Sequence, residues 1–242
     1  MAPKRTTRGG KNESSAGSRK KAPASKKTAS RKAASPKPAG AKKRAGGAAA
    51  EAERLIAEPD ANHQVAAYGS QLLDSRSTTA TQAARVLSEV ISRKPELVVG
   101  LVDKFVKGLR SKHKRVVQAS AEALPAVAKV SPARVARHLD TLKSSFDSLS
   151  EEGKDGLVRT FANLCSASVA YQKRLEPVLT KALHQAQGKT LLAWTEAVLP
   201  ALKGEPHARA RSVVEARLYK VPRSVAQPIA DFLGVKLRPN TR

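Results

Sequence analysis

Apolar side chains recur at helical spacing from about Ala48 onward. Val86, Leu87, Val90 and Ile91 are spaced i, i+1, i+4, i+5. Leu101, Val102, Phe105, Val106 and Leu109 continue that pattern, and Leu139, Leu142, Phe146 and Leu149 follow at i, i+3, i+7, i+10. Each set covers one stripe of a 3.6-residue helix, and no strand-like alternation accompanies them. Pro95, Pro132 and Pro206 fall near helix starts, where a first-turn proline loses no hydrogen bond. Ser131-Pro132 and Ser150-Glu151-Glu152 read as N-terminal caps, and Gly188 and Gly204 as stops or turn residues. The spacing predicts helices over 62–74, 78–93, 96–110, 113–129, 132–148, 151–166, 169–186, 189–203, 206–219 and 222–233. Connections of two to four residues make neighbours antiparallel. The fold class expected is all-α.

A repeat lies inside this pattern. Leu101-Val102-Asp103-Lys104-Phe105 aligns with His138-Leu139-Asp140-Thr141-Leu142 at an offset of 37, and that with Arg174-Leu175-Glu176-Pro177-Val178 at 36. Glu122-Ala123-Leu124-Pro125-Ala126-Val127 is similar to Glu196-Ala197-Val198-Leu199-Pro200-Ala201-Leu202 two repeats later. A helix pair recurring at this period signals an α-solenoid. The period and the Leu-Pro near the end of the second helix resemble HEAT or armadillo-type repeats over roughly 78–235, although 131–168 lacks the Leu-Pro. The resemblance implies a short α-solenoid of antiparallel helix pairs that serves as a binding scaffold, usually for proteins and sometimes for nucleic acid. A non-repetitive helical bundle is the alternative architecture. The expected layout is a cationic tail (1–50), a linker and N-terminal capping helix (51–77), a helical-repeat body (78–237) and a short C-terminal tail (238–242).

The tail changes the functional picture. Residues 1–50 contain no Val, Ile, Leu, Phe, Tyr or Trp, so nothing in them offsets an ordering cost of about 1–2 kcal/mol per residue. They are expected to be disordered alone. Fifteen of them are Lys or Arg and one, Glu13, is acidic, a balance of +14. The chain as a whole has 45 basic and 20 acidic residues, which leaves +11 for 51–242. Such asymmetry points to a polyanionic partner. The expected phosphate contacts are Lys4, Arg5, Arg8, Arg19, Lys20, Lys21, Lys26, Lys27, Arg31, Lys32, Lys37, Lys42, Lys43 and Arg44. Without aromatic residues among them, stacking on unpaired bases is not expected, which favours duplex DNA. The words Lys-Lys-Ala-Pro-Ala (20–24), Ser-Pro-Lys-Pro (35–38) and Ala-Lys-Lys-Arg (41–44) resemble the tails of linker histones and bacterial histone-like proteins. That resemblance implies anchoring on DNA without sequence readout, and a proline-directed phosphorylation site at Ser35 that would weaken it. A targeting signal at Lys42-Lys43-Arg44, a solubility tail, or attraction to an anionic membrane are the competing readings.

Candidate chemistry is sparse. Cys165, the one cysteine, sits in the apolar run Phe161-Ala162-Asn163-Leu164-Cys165 and reads as a core thiol. His63, His113, His138, His184 and His207 form no metal-binding spacing, and no Gly-rich phosphate loop appears. His138, with Arg134 and Arg137 on its helix face, reads as solvated or phosphate-facing. Some HEAT-like solenoids are DNA glycosylases that use aromatic residues and a carboxylate; Trp194 with Glu196 and Tyr171 are the residues available, and Trp194 reads as core. No apolar run reaches the roughly 18 residues of a membrane span. The N-terminus lacks the apolar centre of a secretory signal and the amphipathic face of a transit peptide. No enzyme activity, metal or cofactor is expected.

The body's cations are more informative. Lys112, Lys114 and Arg115 join two helices, and Arg134 with Arg137, Lys173 with Arg174, and Arg209 with Arg211 fall near the starts of successive first helices. Lined up along one solenoid edge, four such clusters would form a basic strip for DNA. The function expected is non-enzymatic, sequence-independent DNA binding in a nucleus or nucleoid. The alternatives are a protein–protein adaptor whose tail only localises it, and an RNA-associated protein.

Overall fold

The computed structural model describes residues 41–237, with side chains from Gly47 onward. Twelve α-helices and three 3₁₀ segments account for the fold, and no strand occurs among the described residues. Six helices stack side by side as an inner row: α1 (Ala41–Ala57), α3 (Ser77–Arg93), α5 (Lys114–Val130), α8 (Glu151–Ala167), α10 (Gly188–Val198) and α12 (Arg223–Leu233), each packed on the next. An outer row alternates with them: α2 (Ala61–Gln71), a 3₁₀ segment (Pro95–Leu101) running into α4 (Val102–Gly108), α6 (Pro132–Ala136) with α7 (Leu139–Ser145), α9 (Val169–Gln185) and α11 (Gly204–Leu218). Inner helices begin at 41, 77, 114, 151, 188 and 223, so the period inferred from the sequence persists through the whole body. The fold is an α-solenoid.

One continuous apolar core runs between the rows from Ala48 to Leu233. Val116, Val117, Leu124 and Val127 of α5 and Leu157, Val158, Phe161 and Leu164 of α8 carry its centre. Within the inner row, α8 lies tight against α5 at Gly156, where an added Cβ would lie 2.5 Å from the Ala121 Cα. Pro125, inside α5, withdraws the amide that would bond the Ala121 carbonyl, on that same turn. Asn163 Nδ2 donates to the Pro125 carbonyl at 2.9 Å and ties α8 back onto α5. Cys165 is buried, and burial pushes its thiol up to about 12.

Several expectations change in detail. The tail boundary at residue 50 falls inside α1, whose Ala48, Ala52 and Leu55 are buried against the stack. Alanine methyls suffice for a close helix crossing, so the absence of larger apolar residues did not mark the edge of the fold. The helices expected over 96–110 and 132–148 both bend. Leu101 (φ −98°, ψ 8°) and His138 (φ −101°, ψ 9°) take the same non-helical conformation one repeat apart. The bend keeps Val98 and Phe105, and Val135 and Leu142, on the core side. Ser150 Oγ accepts from the Gly153 amide at 3.3 Å and caps α8 as expected, whereas Ser131 holds the cap position of α6 without a side-chain bond. Gly188 and Gly204 open α10 and α11 at φ +50° and +61°, a conformation that favours glycine. The expected tail contacts Lys4 to Lys37, and Ser35, lie outside the described residues; Lys42, Lys43 and Arg44 fall in α1, their side chains outside the description.

Candidate binding surfaces

Two surfaces emerge, one on each row. The inner row carries a groove. Its main depression, about 1130 Å³, crosses α5, α8 and α10. Two smaller depressions of about 520 and 550 Å³ continue it over α3 to α1, sharing Gln118, Glu122 and Arg85 at the junctions. Ala121, Pro125, Ala126, Ala162, Ala193 and Ala197 make its small-residue floor, and Glu122, Lys129, Asp155, Arg159 and Lys189 its charged rim.

Interactions among the rim residues hold the groove's shape. Trp194, itself buried, donates its indole N–H to Asp155 Oδ1 at 2.9 Å, while Arg159 Nε lies 2.8 Å from Asp155 Oδ2. Behind this, the Trp194 ring packs at 6.5 Å from Phe146. Trp194 is thus a core residue with its polar edge turned to the groove, and Glu196 is exposed away from that burial. Gln118 Nε2 and Ser88 Oγ each donate to Glu122 at 3.0 Å. Lys114 Nζ lies 2.9 Å from Glu152, and that hydrogen bond holds the Glu152 carboxyl below its ordinary range. None of this was legible in the sequence, because the lining residues are small or polar and come from helices 37 residues apart.

The outer row carries an ion-pair ladder built from the repeat itself. His138 Nε2 lies 3.0 Å from Asp103 Oδ1, Arg174 Nη2 3.2 Å from Asp140 Oδ1, and Arg209 Nε 3.2 Å from Glu176 Oε1. Each acid accepts from the next repeat's cation, two residues before the equivalent acid position. Lys181 Nζ adds a parallel rung at 2.7 Å from Asp147. Two of the expected phosphate contacts, Arg174 and Arg209, are therefore engaged between repeats. His138, expected to face solvent or phosphate, is half-buried on Asp103. Arg211 bonds Glu215 at 2.7 Å and the Leu233 carbonyl at 3.0 Å, which fastens α11 to the end of α12. Lys112, Arg134, Arg137 and Lys173 are exposed and have no carboxylate partner among the described residues; Arg115 bonds Gln118.

The single strip expected along one edge is not what the topology places. Lys112, Lys114 and Arg115 sit where the outer row turns into the inner, while Arg134, Arg137, Lys173, Arg174, Arg209 and Arg211 lie on the outer row after the opposite turn. A helix pair reverses direction within each repeat, so sequence clusters at its two turns end on opposite edges. Among the described residues no group of three or more His, Cys, Asp and Glu is placed to hold a metal, and no helix is long and apolar enough to cross a membrane.

Taken together, the stacked helix pairs and open groove define a helical-repeat solenoid. The chain is similar in structure to an engineered protein from the Northeast Structural Genomics Consortium, with a TM-score of 0.58 and 21% identity over 81% of this chain and 90% of that one. It is also similar to a designed armadillo repeat protein solved in complex with the peptide (KR)4, with a TM-score of 0.53 and 15% identity over 80% and 95% of the two chains. At these identities the likeness concerns the fold alone. No protein-family model matches the chain, and no curated protein does.

Proposed function

We propose that this chain is a non-enzymatic binding scaffold whose inner-row groove takes an extended stretch of another polypeptide. The observation that carries this reading is the groove's form: a shallow channel with an alanine and proline floor, running across successive helices. A floor of small side chains admits a backbone closely, and rim groups such as Gln118, Arg159 and Lys189 supply donors for its carbonyls. The designed armadillo repeat protein in complex with (KR)4 supports a peptide as the class of partner. The test is selection of a displayed peptide library on the full chain. A recurring peptide motif is expected, and its binding should be lost when Ala162→Trp and Ala193→Trp fill the groove while the helical circular dichroism is retained. No motif, or binding indifferent to the filled groove, would refute the reading.

A second reading rests on the charge of the tail: sequence-independent binding of DNA, in a nucleus or nucleoid, with RNA as the competing ligand. Deleting residues 1–40, which stops short of α1, is expected to weaken duplex binding severely and flatten its salt dependence. Unchanged affinity in that deletion would sink it.

A further inference from the structure

From Lys104 to Arg115 the chain carries six cations, Lys104, Lys107, Arg110, Lys112, Lys114 and Arg115, with no acid between Asp103 and Glu122. We infer that the turn between α4 and α5 is a phosphate-backbone contact for duplex nucleic acid, made by Lys107, Arg110, Lys112 and Arg115 of the folded body. It rests on the second reading for its ligand and deepens it, by adding to the tail a contact on the folded body.

The inference comes from a break in the ion-pair ladder of the outer row. Four acids on that row meet a cation of the next repeat: Asp103 with His138, Asp140 with Arg174, Asp147 with Lys181, Glu176 with Arg209. One repeat before the Asp147–Lys181 rung, the equivalent positions hold Arg110 and Ser145. The acid is replaced by a cation, and its partner by a neutral hydroxyl. Lys107, Arg110 and Lys112 are exposed without a carboxylate partner among the described residues. Lys114 alone of the six has one, Glu152.

Local electrostatics adds to this. Two cations and no acid occupy the first turn of α5, and His113 at its cap position supplies no side-chain bond. Cations at that end oppose the helix dipole, whereas the matching turn of α8 carries Glu151 and Glu152 under a Ser150 cap. A phosphate diester set against the turn would neutralise the unmatched cations and meet the uncapped amides of α5. Lys107 and Arg110 stand at the end of α4, Lys112 in the turn, and Arg115 in the first turn of α5, where it also lines the depression over α3. Such a saddle of cations around one edge fits a cylindrical, uniformly charged partner better than a folded acidic protein.

The test compares two full-chain variants of equal charge. One carries Lys107→Gln, Arg110→Gln, Lys112→Gln and Arg115→Gln. The control carries Arg134→Gln, Arg137→Gln, Lys203→Gln and Lys220→Gln, cations that are also exposed and without carboxylate partners among the described residues. Affinity for a duplex of unrelated sequence is measured across a salt series. The patch variant is expected to lose at least about tenfold in affinity, with the log–log salt slope shallower by about 3–4 units, while the control moves by less than about one unit. Equal losses in both variants would overturn the inference in favour of net charge, as would an unchanged patch variant. It is also overturned if the patch variant keeps its duplex affinity but loses binding to phosphatidylserine-containing vesicles, which would make the site a membrane contact.

Discussion

Replacing Gly156 by alanine puts a methyl where α8 meets α5. The new Cβ would lie 2.5 Å from both Cα and Cβ of Ala121 and 2.6 Å from its carbonyl oxygen. Ordinary contact needs about 3.4–4 Å, so the helices must part locally by about 1 Å. The obstructing atoms include backbone, so no side-chain rotation relieves the clash. Overpacking of this kind costs about 1–3 kcal/mol, and separating the helices also loosens Leu157 and Phe161 beneath. Alanine's better helix propensity returns about 1 kcal/mol. The expected net loss is about 1 kcal/mol, a fall of about 0.5 M in the urea midpoint at a slope of about 2 kcal/mol per molar, followed by far-ultraviolet circular dichroism. Gly100→Ala is the matched control: its Cβ meets nothing within 4 Å, and a midpoint equal to or slightly above that of the parent is expected. Adding Ala121→Gly to the Gly156 variant should restore only part of the loss, because the Ala121 Cα and carbonyl stay in place. A midpoint for Gly156→Ala at or above the parent value would refute the close-packing argument.

Further outcomes follow from other contacts. Gln172, buried on α9, donates to the Cys165 and Ala201 carbonyls at 3.0 and 3.2 Å and accepts from the Lys203 amide at 3.1 Å. Gln172→Leu should cost about 2 kcal/mol or more in the same urea assay by orphaning buried backbone groups. Trp194→Phe keeps the ring but removes the donor to Asp155, and should cost about 1 kcal/mol in the thermal melt. Burial first, and then the hydrogen bond to Glu51, push the Tyr68 phenol from 10.0 up to about 12. Because the folded value is the higher, the stabilisation is intact below pH 10 and is lost as pH rises to about 12. Ultraviolet difference titration should show one late-ionising tyrosine that Tyr68→Phe removes. Asp140→Asn breaks an exposed rung of the ladder and should cost less than about 1 kcal/mol, a difference that high salt abolishes in paired melts.

How far these features could be read from the chain depends on the range of the forces behind them. The helices and their 37-residue period were legible at Leu101, Leu139 and Leu175, because burial of one stripe is imposed residue by residue on a local 3.6 repeat. The same segments hid their ladder. Asp140 was visible as the counterpart of Asp103, yet its partner, Arg174, is 34 residues away, a register set by how far one helix pair slides on the next. At the N-terminal edge, Ala48, Ala52 and Leu55 have the i, i+4, i+7 spacing of a buried face, a signal that low hydrophobicity masked.

By itself, then, the sequence determined that the body is helical, repetitive and basic, and that residues 1–50 are rich in cations and poor in anything to bury. Local periodicity and charge are additive along a chain, so both can be counted from residues. Tertiary structure decided which cations are occupied and which are free, that the basic clusters divide between two edges, and that small side chains from α5, α8 and α10 meet as one groove. Those outcomes depend on the direction in which each helix returns and on close approaches such as Gly156 on Ala121, which no single helix specifies.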